Sequence, residues 1–327
     1  MSTEVRGPSL PEPPPAQSAE MTQVHEIDLL RATEAAAAAA ARLTGRGDQD
    51  RVKSVAASAM LQALEETAEG ARVMLGPRGE GVLSPGSLVG GRDRGELELG
   101  VYPVEGASLV ARGLPNAISM LVAATPGTFP TLPAVAYMEK MVVGASARGA
   151  LDFDDGVADN LRRIAFARDS RVADLLVAVL NRPRHQGLIE EIRSAGARLA
   201  LIEDGDITAG LLAAADWTGV DAMMGFGGLQ EAVLAASGVR CLGGDLASRL
   251  WPRNDEERIL AGEQAERNFG LDDLVGPEIT VAVTGITGGS LLPAVEYSSG
   301  GAVTHSLLMS WRRRTVRRIS TRHVPAV

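Results

Sequence analysis

A loop with two arginines follows one of the predicted strands. The residues Arg182-Pro183-Arg184-His185 come just after an apolar run that ends at Leu180. A guanidinium group presents a planar fork of N–H donors that matches the oxygens of a phosphate. The pattern predicts either an anion-binding loop or a solvated basic loop, and the loop alone does not separate the two.

Two further short runs carry groups that suit a phosphorylated sugar. Asp204-Gly205-Asp206 follows a second apolar run, and its carboxylates can accept hydrogen bonds from sugar hydroxyls. Gly227-Gly228 precedes a predicted helix, where backbone N–H groups can face an anion. Taken singly, the first run is typical of a turn, and the second is a weak signal.

The elements that would position these runs alternate between strands and helices after Gly149. The predicted order is strand 175–180, helix 186–195, strand 198–202, helix 207–215, strand 222–225 and helix 230–237. This order predicts a mainly parallel, doubly wound sheet. Ligands of such sheets bind at the carboxyl ends of the strands. We therefore expect the loops 181–185, 204–206 and 227–231 to form the walls of one site.

The remaining elements predict a second, α+β unit. Residues 1–22 contain five prolines, which favours a disordered tail. The patterns then predict helices at 25–44 and 49–68 and strands at 71–75, 96–102, 114–124, 279–287 and within 301–323. We expect an N-terminal α+β domain at 23–148, completed by about 280–327, and a doubly wound α/β domain at 149–279.

The bulk composition excludes several classes of protein. The chain has 327 residues and is 45% hydrophobic, so it can bury a sizeable core. No apolar run approaches the roughly 20 residues of a membrane span, and the N-terminus lacks the pattern of a signal peptide, so we expect a cytoplasmic protein without a membrane partner. The one cysteine excludes an intrachain disulfide, and a net charge of −9 argues against nucleic-acid binding.

Seven short motifs, in one order, resemble the bacterial, class II fructose-1,6-bisphosphatase family over about residues 25–323. They are Gly45-Arg46-Gly47-Asp48, Tyr137-Met138-Glu139-Lys140, Ala158-Asp159-Asn160-Leu161-Arg162, Arg182-Pro183-Arg184-His185, Asp204-Gly205-Asp206, Gly243-Gly244-Asp245 and Thr284-Gly285-Ile286-Thr287. The resemblance implies a layered α/β sandwich of the inositol monophosphatase type, in two domains. It also implies a hydrolase of carbohydrate metabolism, acting in gluconeogenesis on fructose 1,6-bisphosphate.

The resemblance also implies a substrate site, and the positions that match it keep the residue types of the family. The implied substrate-binding residues are Glu105, Gly106, Tyr137, Arg182, Pro183, Arg184, Asp204, Gly205, Asp206 and Gly228. A phosphorylated sugar is the expected partner. We also expect self-association, either as a homo-oligomer or as a mixed oligomer with an active phosphatase.

The metal-binding half of the implied site is degraded. The family holds its divalent cations with five carboxylates, but this chain has Lys53, Pro77 and Tyr102 at three of the matching positions. A slip of one residue in the second loop would bring in Glu80 instead of Pro77. The implied ligands that remain are Glu105 and Glu231. Because hard cations need anionic oxygen ligands, we expect no tightly bound metal and at most weak binding of Mn²⁺ or Mg²⁺.

Lys53 has two interpretations. Its ammonium group can fill the space of the cation and pair with Glu105 and Glu231. Alternatively, Lys53 and Tyr102 form a new catalytic pair, in which the lysine attacks a carbonyl to give a Schiff base and the tyrosine moves the proton.

The sequence leaves three functions open. The first is a sugar-bisphosphate phosphatase, a phosphoric monoester hydrolase, with weak or altered use of metal. The second is a non-catalytic relative that binds a phosphorylated sugar or regulates a true phosphatase. The third is a metal-independent enzyme that acts on a sugar phosphate through Lys53 and Tyr102.

Overall fold

The computed structural model describes residues 17–67, 70–77, 81–91 and 97–324. In chain order its helices are α1 (Gln17–Ala41), α2 (Gln49–Glu65), α3 (Ala107–Arg112), α4 (Val157–Ala167), α5 (Gln186–Ser194), α6 (Asp206–Ala214), α7 (Leu229–Leu242), α8 (Asp255–Ala261) and α9 (Leu271–Leu274). Its strands are β1 (Gly70–Leu75), β2 (Leu88–Gly90), β3 (Leu97–Glu105), β4 (Ile118–Ala124), β5 (Tyr137–Val143), β6 (Leu176–Leu180), β7 (Arg198–Ile202), β8 (Ala222–Gly228), β9 (Asp245–Leu250), β10 (Asn268–Gly270), β11 (Ile279–Gly285), β12 (Glu296–Ser298), β13 (Gly301–Ser310) and β14 (Thr315–His323).

Two N-terminal helices pack side by side on the first sheet. Helix α1 begins at Gln17, earlier than the predicted start at 25, so the predicted tail is shortened and its residues 1–16 lie outside the described part of the chain. Helix α2 begins after Asp48, whose side chain accepts a hydrogen bond of 2.9 Å from the Arg51 backbone N–H. An N-cap of this kind satisfies one of the free donors of the first turn. Its buried residues recur every four positions and so form one face: Val52, Ala56, Met60 and Leu64.

The first sheet combines strands from both ends of the chain. Its order is β12-β13-β11-β4-β3-β1-β2, and β14 extends it by pairing with β13. Every residue of its central strand β4 is buried, and alternate side chains enter two different cores. Such a strand is covered by helices on both faces.

The second sheet is mixed, and the prediction of a mainly parallel sheet is wrong. Its order is β10-β9-β5-β8-β6-β7. Strand β6 runs parallel to β7 and β8, whereas β5 is antiparallel to both β8 and β9, and β9 is antiparallel to β10. Strand β5 was not predicted, and it lies in this sheet although the predicted domain boundary assigned it to the N-terminal part.

The sheets and helices stack in layers, which agrees with the predicted α/β sandwich. Helices α1 and α2 share a core with one face of the first sheet. Helices α6 and α7 lie between the two sheets: α7 contacts strands of both, and α6 packs on the second sheet and hydrogen-bonds to Glu105 of the first. Helices α4 and α5 pack on the outer face of the second sheet. Within the described residues, no helix is long and apolar enough to cross a membrane.

The layering brings the ends of several strands to one edge of the sandwich. Strands β6, β7 and β8 end there, followed by the arginine loop, by helix α6 and by helix α7. Strand β5 begins at the same edge, because Tyr137 pairs with Gly228 in the antiparallel register. Strand β3 of the first sheet ends opposite them, at Glu105. The substrate-binding residues predicted from the sequence come from these ends.

Candidate sugar-phosphate site

A cavity of about 290 Å³ lies at this edge. The second sheet and its loops contribute Tyr137, Arg182, Arg184, Asp204, Asp206 and Gly228. The facing elements contribute Lys53, Tyr102, Glu105, Gly106 and Glu231. Pro183 and Gly205 belong to the same loops: Pro183 begins a short 3₁₀ turn, and Gly205 precedes α6 with a φ of 102° that favours glycine. The structure thus places the predicted residues around one cavity, while their roles in binding stay predictions.

The arginine loop is fixed against strand β8. Arg184 donates from Nε and Nη2 to the Phe226 carbonyl oxygen at 3.3 and 2.9 Å, and its guanidinium carbon lies 5.3 Å from the centre of the Tyr137 ring. A guanidinium over an aromatic face is favourable. These contacts hold the Arg184 side chain at the cavity before any ligand arrives.

His185 holds the arginine loop through hydrogen bonds to the backbone of β6 and β8. It is fully buried, its Nδ1 lies 2.6 Å from the Leu180 carbonyl oxygen, and its Nε2 accepts a 2.8 Å hydrogen bond from the Phe226 backbone N–H. Burial lowers the pKa of His185 below its usual value. With Nε2 accepting, the proton of the neutral ring is assigned to Nδ1. His185 therefore ties β6 to β8 and does not face the cavity as a phosphate ligand.

Asp206 forms an ion pair with Lys140, a residue that was not predicted to belong to the site. Lys140, on β5, is completely buried, and its Nζ lies 2.5 Å from Asp206 Oδ2. The other oxygen, Asp206 Oδ1, is buried and has no hydrogen-bond partner among the described residues. The signal in the sequence was that lysine occurs only at positions 53 and 140. The same motif that places Tyr137 in the cavity places Lys140 beneath it.

The two glycines at the end of β8, Gly227 and Gly228, leave room for the carboxylates of Asp206 and Glu231. A Cβ on Gly227 would lie 1.8 Å from Asp206 Oδ2 and 2.4 Å from Lys140 Nζ. A Cβ on Gly228 would lie 1.9 Å from Glu231 Oε2. Both contacts are far inside van der Waals distance, so any larger residue would displace the charged groups at the cavity.

Asp204, the first residue of the Asp-Gly-Asp run, is fixed from two sides. It accepts a hydrogen bond of 2.5 Å from the Ser108 hydroxyl at Oδ2. Its Oδ1 lies 3.7 Å from Arg182 Nη2. This ion pair joins the loop after β6 to the loop after β7.

Glu105 caps helix α6 across the interface between the sheets. Its carboxylate accepts hydrogen bonds from the backbone N–H groups of Ile207 and Thr208, at 2.5 and 2.7 Å, and from the Thr208 hydroxyl at 2.5 Å. These donors are the free N–H groups of the first helical turn. Burial raises the pKa of Glu105 to about 8, although the bonds from Thr208 and Ile207 oppose the shift.

Tyr102 and Glu231, which line the same cavity as Glu105, form a hydrogen-bonded pair. The Tyr102 hydroxyl donates to Glu231 Oε1 at 3.0 Å, and Glu231 Oε2 is buried without a hydrogen-bond partner in the described part of the chain. Burial raises the pKa of Tyr102 far above its usual value, and the negative charge of Glu231 adds to the effect. Tyr102 is therefore a neutral phenol that donates to Glu231.

Lys53 does not form the ion pairs of the first interpretation, whereas its catalytic role with Tyr102 stays a prediction. Its ammonium Nζ lies 3.2 Å from Asp50 Oδ1, and its side chain is 54% exposed. It lines the cavity, but its ion pair is with Asp50 rather than with Glu105 or Glu231. The fully buried lysine near this cavity is Lys140.

A second cavity, of about 480 Å³, adjoins the first on the side where the resemblance implies metal ligands. It shares Lys53, Tyr102 and Glu231 with the first cavity, and Pro77 also lines it. Glu80, the alternative ligand, lies outside the described residues.

The side chains at the implied metal side of the site do not fit a divalent cation. Across the described residues, no three His, Cys, Asp or Glu side chains are grouped so that they could hold a metal ion. Glu105 already accepts hydrogen bonds from N–H groups of α6, and Glu231 accepts one from Tyr102. The ammonium group of Lys53 lines the same cavity. Hard divalent cations prefer several anionic oxygens, which this set does not supply.

Comparison with known proteins agrees with the motifs. A sequence-family profile described as bacterial fructose-1,6-bisphosphatase, glpX-encoded, matches residues 23–323. A fructose-1,6-bisphosphatase class 2 from Haemophilus influenzae is 36% identical over 324 residues, which cover 93% of this chain and 97% of the relative. The fructose-1,6-bisphosphatase 1 class 2 of Escherichia coli K12 is 34% identical over 318 residues, covering 91% and 94%. The chain therefore belongs to the bacterial class 2 fructose-1,6-bisphosphatase family.

Proposed function

We propose that this member of the family binds a phosphorylated sugar in the 290 Å³ cavity and that its phosphatase activity is weak or lost. The observation that carries the proposal is the composition of the cavity wall. Two arginines and two carboxylates of the substrate loops line one side, and Lys53 and Tyr102 line the other, where the resemblance implies metal-binding carboxylates.

The binding part of the proposal rests on preorganised groups. Arg184 is held by the Phe226 carbonyl and the Tyr137 ring, and Arg182 is placed by Asp204. A pair of guanidinium groups suits a phosphate. The cavity is close to the roughly 300 Å³ at which small-molecule sites begin. We therefore assign the phosphate of the ligand to the side of Arg182 and Arg184.

The loss of activity follows from the chemistry of phosphate hydrolysis in the family. Divalent cations activate the water and stabilise the leaving oxygen. Lys53, Pro77 and Tyr102 stand where the resemblance implies three of the five carboxylates that hold these cations, and hard cations bind weakly without anionic oxygens. The neutral Tyr102 phenol cannot replace the missing carboxylate.

Two measurements test the proposal together. Phosphate release from fructose 1,6-bisphosphate is assayed with excess Mn²⁺, and the melting temperature is titrated with sugar phosphates. We expect a rise in melting temperature without release. Phosphate release at roughly 1–10³ s⁻¹, the turnover range typical of enzymes, would contradict the loss of activity. An unchanged melting temperature would contradict the binding.

A matched pair of variants locates the bound ligand. Arg184→Gln is expected to abolish the rise in melting temperature, because it removes one guanidinium from the cavity. Arg171→Gln removes an exposed arginine that pairs with Asp174 outside the cavity, and it should leave the rise unchanged. Equal loss in both variants would mean that the ligand binds by surface charge alone. Self-association, alone or with an active relative, stays a prediction.

A further inference from the structure

The two sides of the cavity differ in what they offer to a ligand. The first, called the arginine wall here, consists of Arg182, Arg184 and Tyr137. The second, called the carboxylate wall, consists of Tyr102 and Glu231. Its defining feature is the hydrogen bond of 3.0 Å from Tyr102 to Glu231. The arginine wall suits a phosphate, and the carboxylate wall presents acceptor oxygens.

Two carboxylate oxygens of residues that line the cavity lack a hydrogen-bond donor, one on the carboxylate wall and one on Asp206. Glu231 Oε2 and Asp206 Oδ1 are both buried, and neither has a hydrogen-bond partner within the described residues. The remaining oxygens of these carboxylates already accept from Tyr102 and from Lys140. A buried acceptor without a donor is unfavourable, so a ligand that brings donors is selected. A sugar hydroxyl can donate to such an oxygen.

A second phosphate group does not suit the carboxylate wall. An ionised phosphate presents acceptor oxygens and negative charge, as Glu231 does, and like charges in a poorly solvated site repel. Lys53 offers little compensation, because its ammonium already pairs with Asp50 at 3.2 Å and its side chain is 54% exposed. Exposed charges of this kind are screened by water and salt.

We propose that the cavity selects a sugar monophosphate over a sugar bisphosphate. The single phosphate lies at the arginine wall, and hydroxyl groups of the sugar donate to Glu231 and Asp206. This inference rests on the proposed function, since it names the ligand class of the same site. It makes the Tyr102–Glu231 pair a determinant of specificity, where the resemblance implies a metal site.

The test compares two ligands that differ by one phosphate. Isothermal titration calorimetry on the full chain, with EDTA present, uses fructose 6-phosphate and fructose 1,6-bisphosphate as probes. We expect the monophosphate to bind about tenfold more tightly. This ratio corresponds to a repulsion of about 1.4 kcal/mol between Glu231 and the second phosphate. Tighter or equal binding of the bisphosphate would overturn the inference and leave the proposed function intact. Failure of both probes to bind would overturn the proposed function itself.

Three variants assign the selectivity to the wall. Glu231→Gln removes the charge at nearly constant volume and is expected to raise the affinity for the bisphosphate, so that the tenfold ratio narrows. Glu256→Gln changes an exposed carboxylate on α8 and should leave the ratio unchanged. Lys53→Gln should alter neither affinity by more than about twofold. An unchanged ratio in Glu231→Gln, with native circular dichroism, overturns the role of Glu231. A selective loss of bisphosphate binding in Lys53→Gln overturns the orientation, because Lys53 would then hold the second phosphate.

Discussion

Lys140 and Asp206 form an ion pair beneath the cavity, and their positions explain why the pair matters for stability. Lys140 is fully buried, and the side chain of Asp206 is 10% exposed. Burying two charges is costly, but removing one partner is worse, because it leaves the other charge uncompensated. The pair also fixes the direction in which Asp206 Oδ1 points, so it couples the stability of the fold to the shape of the site.

A double-mutant cycle on this pair is the first prediction. We expect Lys140→Met and Asp206→Ala each to lower the free energy of unfolding by about 3–5 kcal/mol. The double variant should lose less than the sum of the two, by about 0.5–3 kcal/mol, since the second change removes the stranded charge. Urea unfolding measures all four proteins. The exposed pair of Arg171 and Asp174 is the control and should show little coupling. Strict additivity at Lys140 and Asp206 would show that the two groups do not interact.

At the scale of the elements, strand β8 approaches the ion pair so closely that only glycine fits. Gly227 lies on β8, and a Cβ there would meet both Asp206 Oδ2 and Lys140 Nζ at less than 3 Å. By contrast, a Cβ on Gly187 in helix α5 would meet no atom within 4 Å. The same change, glycine to alanine, can therefore be made at one crowded position and at one open position.

We therefore expect opposite effects from the same substitution. Gly227→Ala should lower the free energy of unfolding by at least 2 kcal/mol, roughly, because the ion pair or the strand has to move. Gly187→Ala should raise it by about 0.5–1 kcal/mol, because alanine is the better residue inside a helix. Urea unfolding at one pH compares the two with the unchanged protein. Similar effects in both variants would mean that the close approach at Gly227 is not the cause.

The elements also show what the sequence could and could not reveal. Strand β7 was predicted with its observed bounds, Arg198–Ile202, because an apolar run between two turn signals is typical of a buried strand. Strand β5 was missed because Glu139 and Lys140 interrupt its apolar run, and only the ion pair with Asp206 makes a buried lysine acceptable there. Without β5, the antiparallel half of the second sheet could not be predicted.

The candidate site was predictable to the same degree. The loops after β6, β7 and β8 were expected to meet because strands of one sheet end at a common edge. The partners of their side chains were not predictable, since Glu105 bonds to residues about a hundred positions away in the chain. The role of Glu105 as a cap of α6 follows from how two sheets and a helical layer assemble, and no local pattern carries that information.

At the scale of the whole molecule, residues at the implied metal side now join layers of the sandwich. Glu105 on β3 of the first sheet caps α6 in the middle layer, and Tyr102 on the same strand donates to Glu231 on α7. Both interactions cross the interface between the first sheet and the middle layer. The protein therefore has direct hydrogen bonds where its family is expected to use cations, and the replaced positions come from three separate elements.

Restoring the three replaced positions together is the last prediction. The triple variant Lys53→Asp, Pro77→Glu and Tyr102→Asp removes the ammonium group and returns three carboxylates to α2, to the loop after β1 and to β3. Because the fold already places Glu105 and Glu231 beside them, we expect Mn²⁺ affinity to rise at least 100-fold, roughly what 3 kcal/mol of added attraction would give. The loss of the free Mn²⁺ signal in electron paramagnetic resonance measures the binding.

A charge-matched control separates a rebuilt site from simple negative charge. Arg193→Glu with Arg258→Glu adds the same four negative charges on exposed faces of α5 and α8, outside the cavity. If the triple variant keeps its circular dichroism and its response to fructose 6-phosphate yet binds Mn²⁺ no better than this control, the three substitutions are not what weakens metal binding. If only the triple variant binds, the scaffold of the family site persists in this chain, and three side chains separate it from a cation centre.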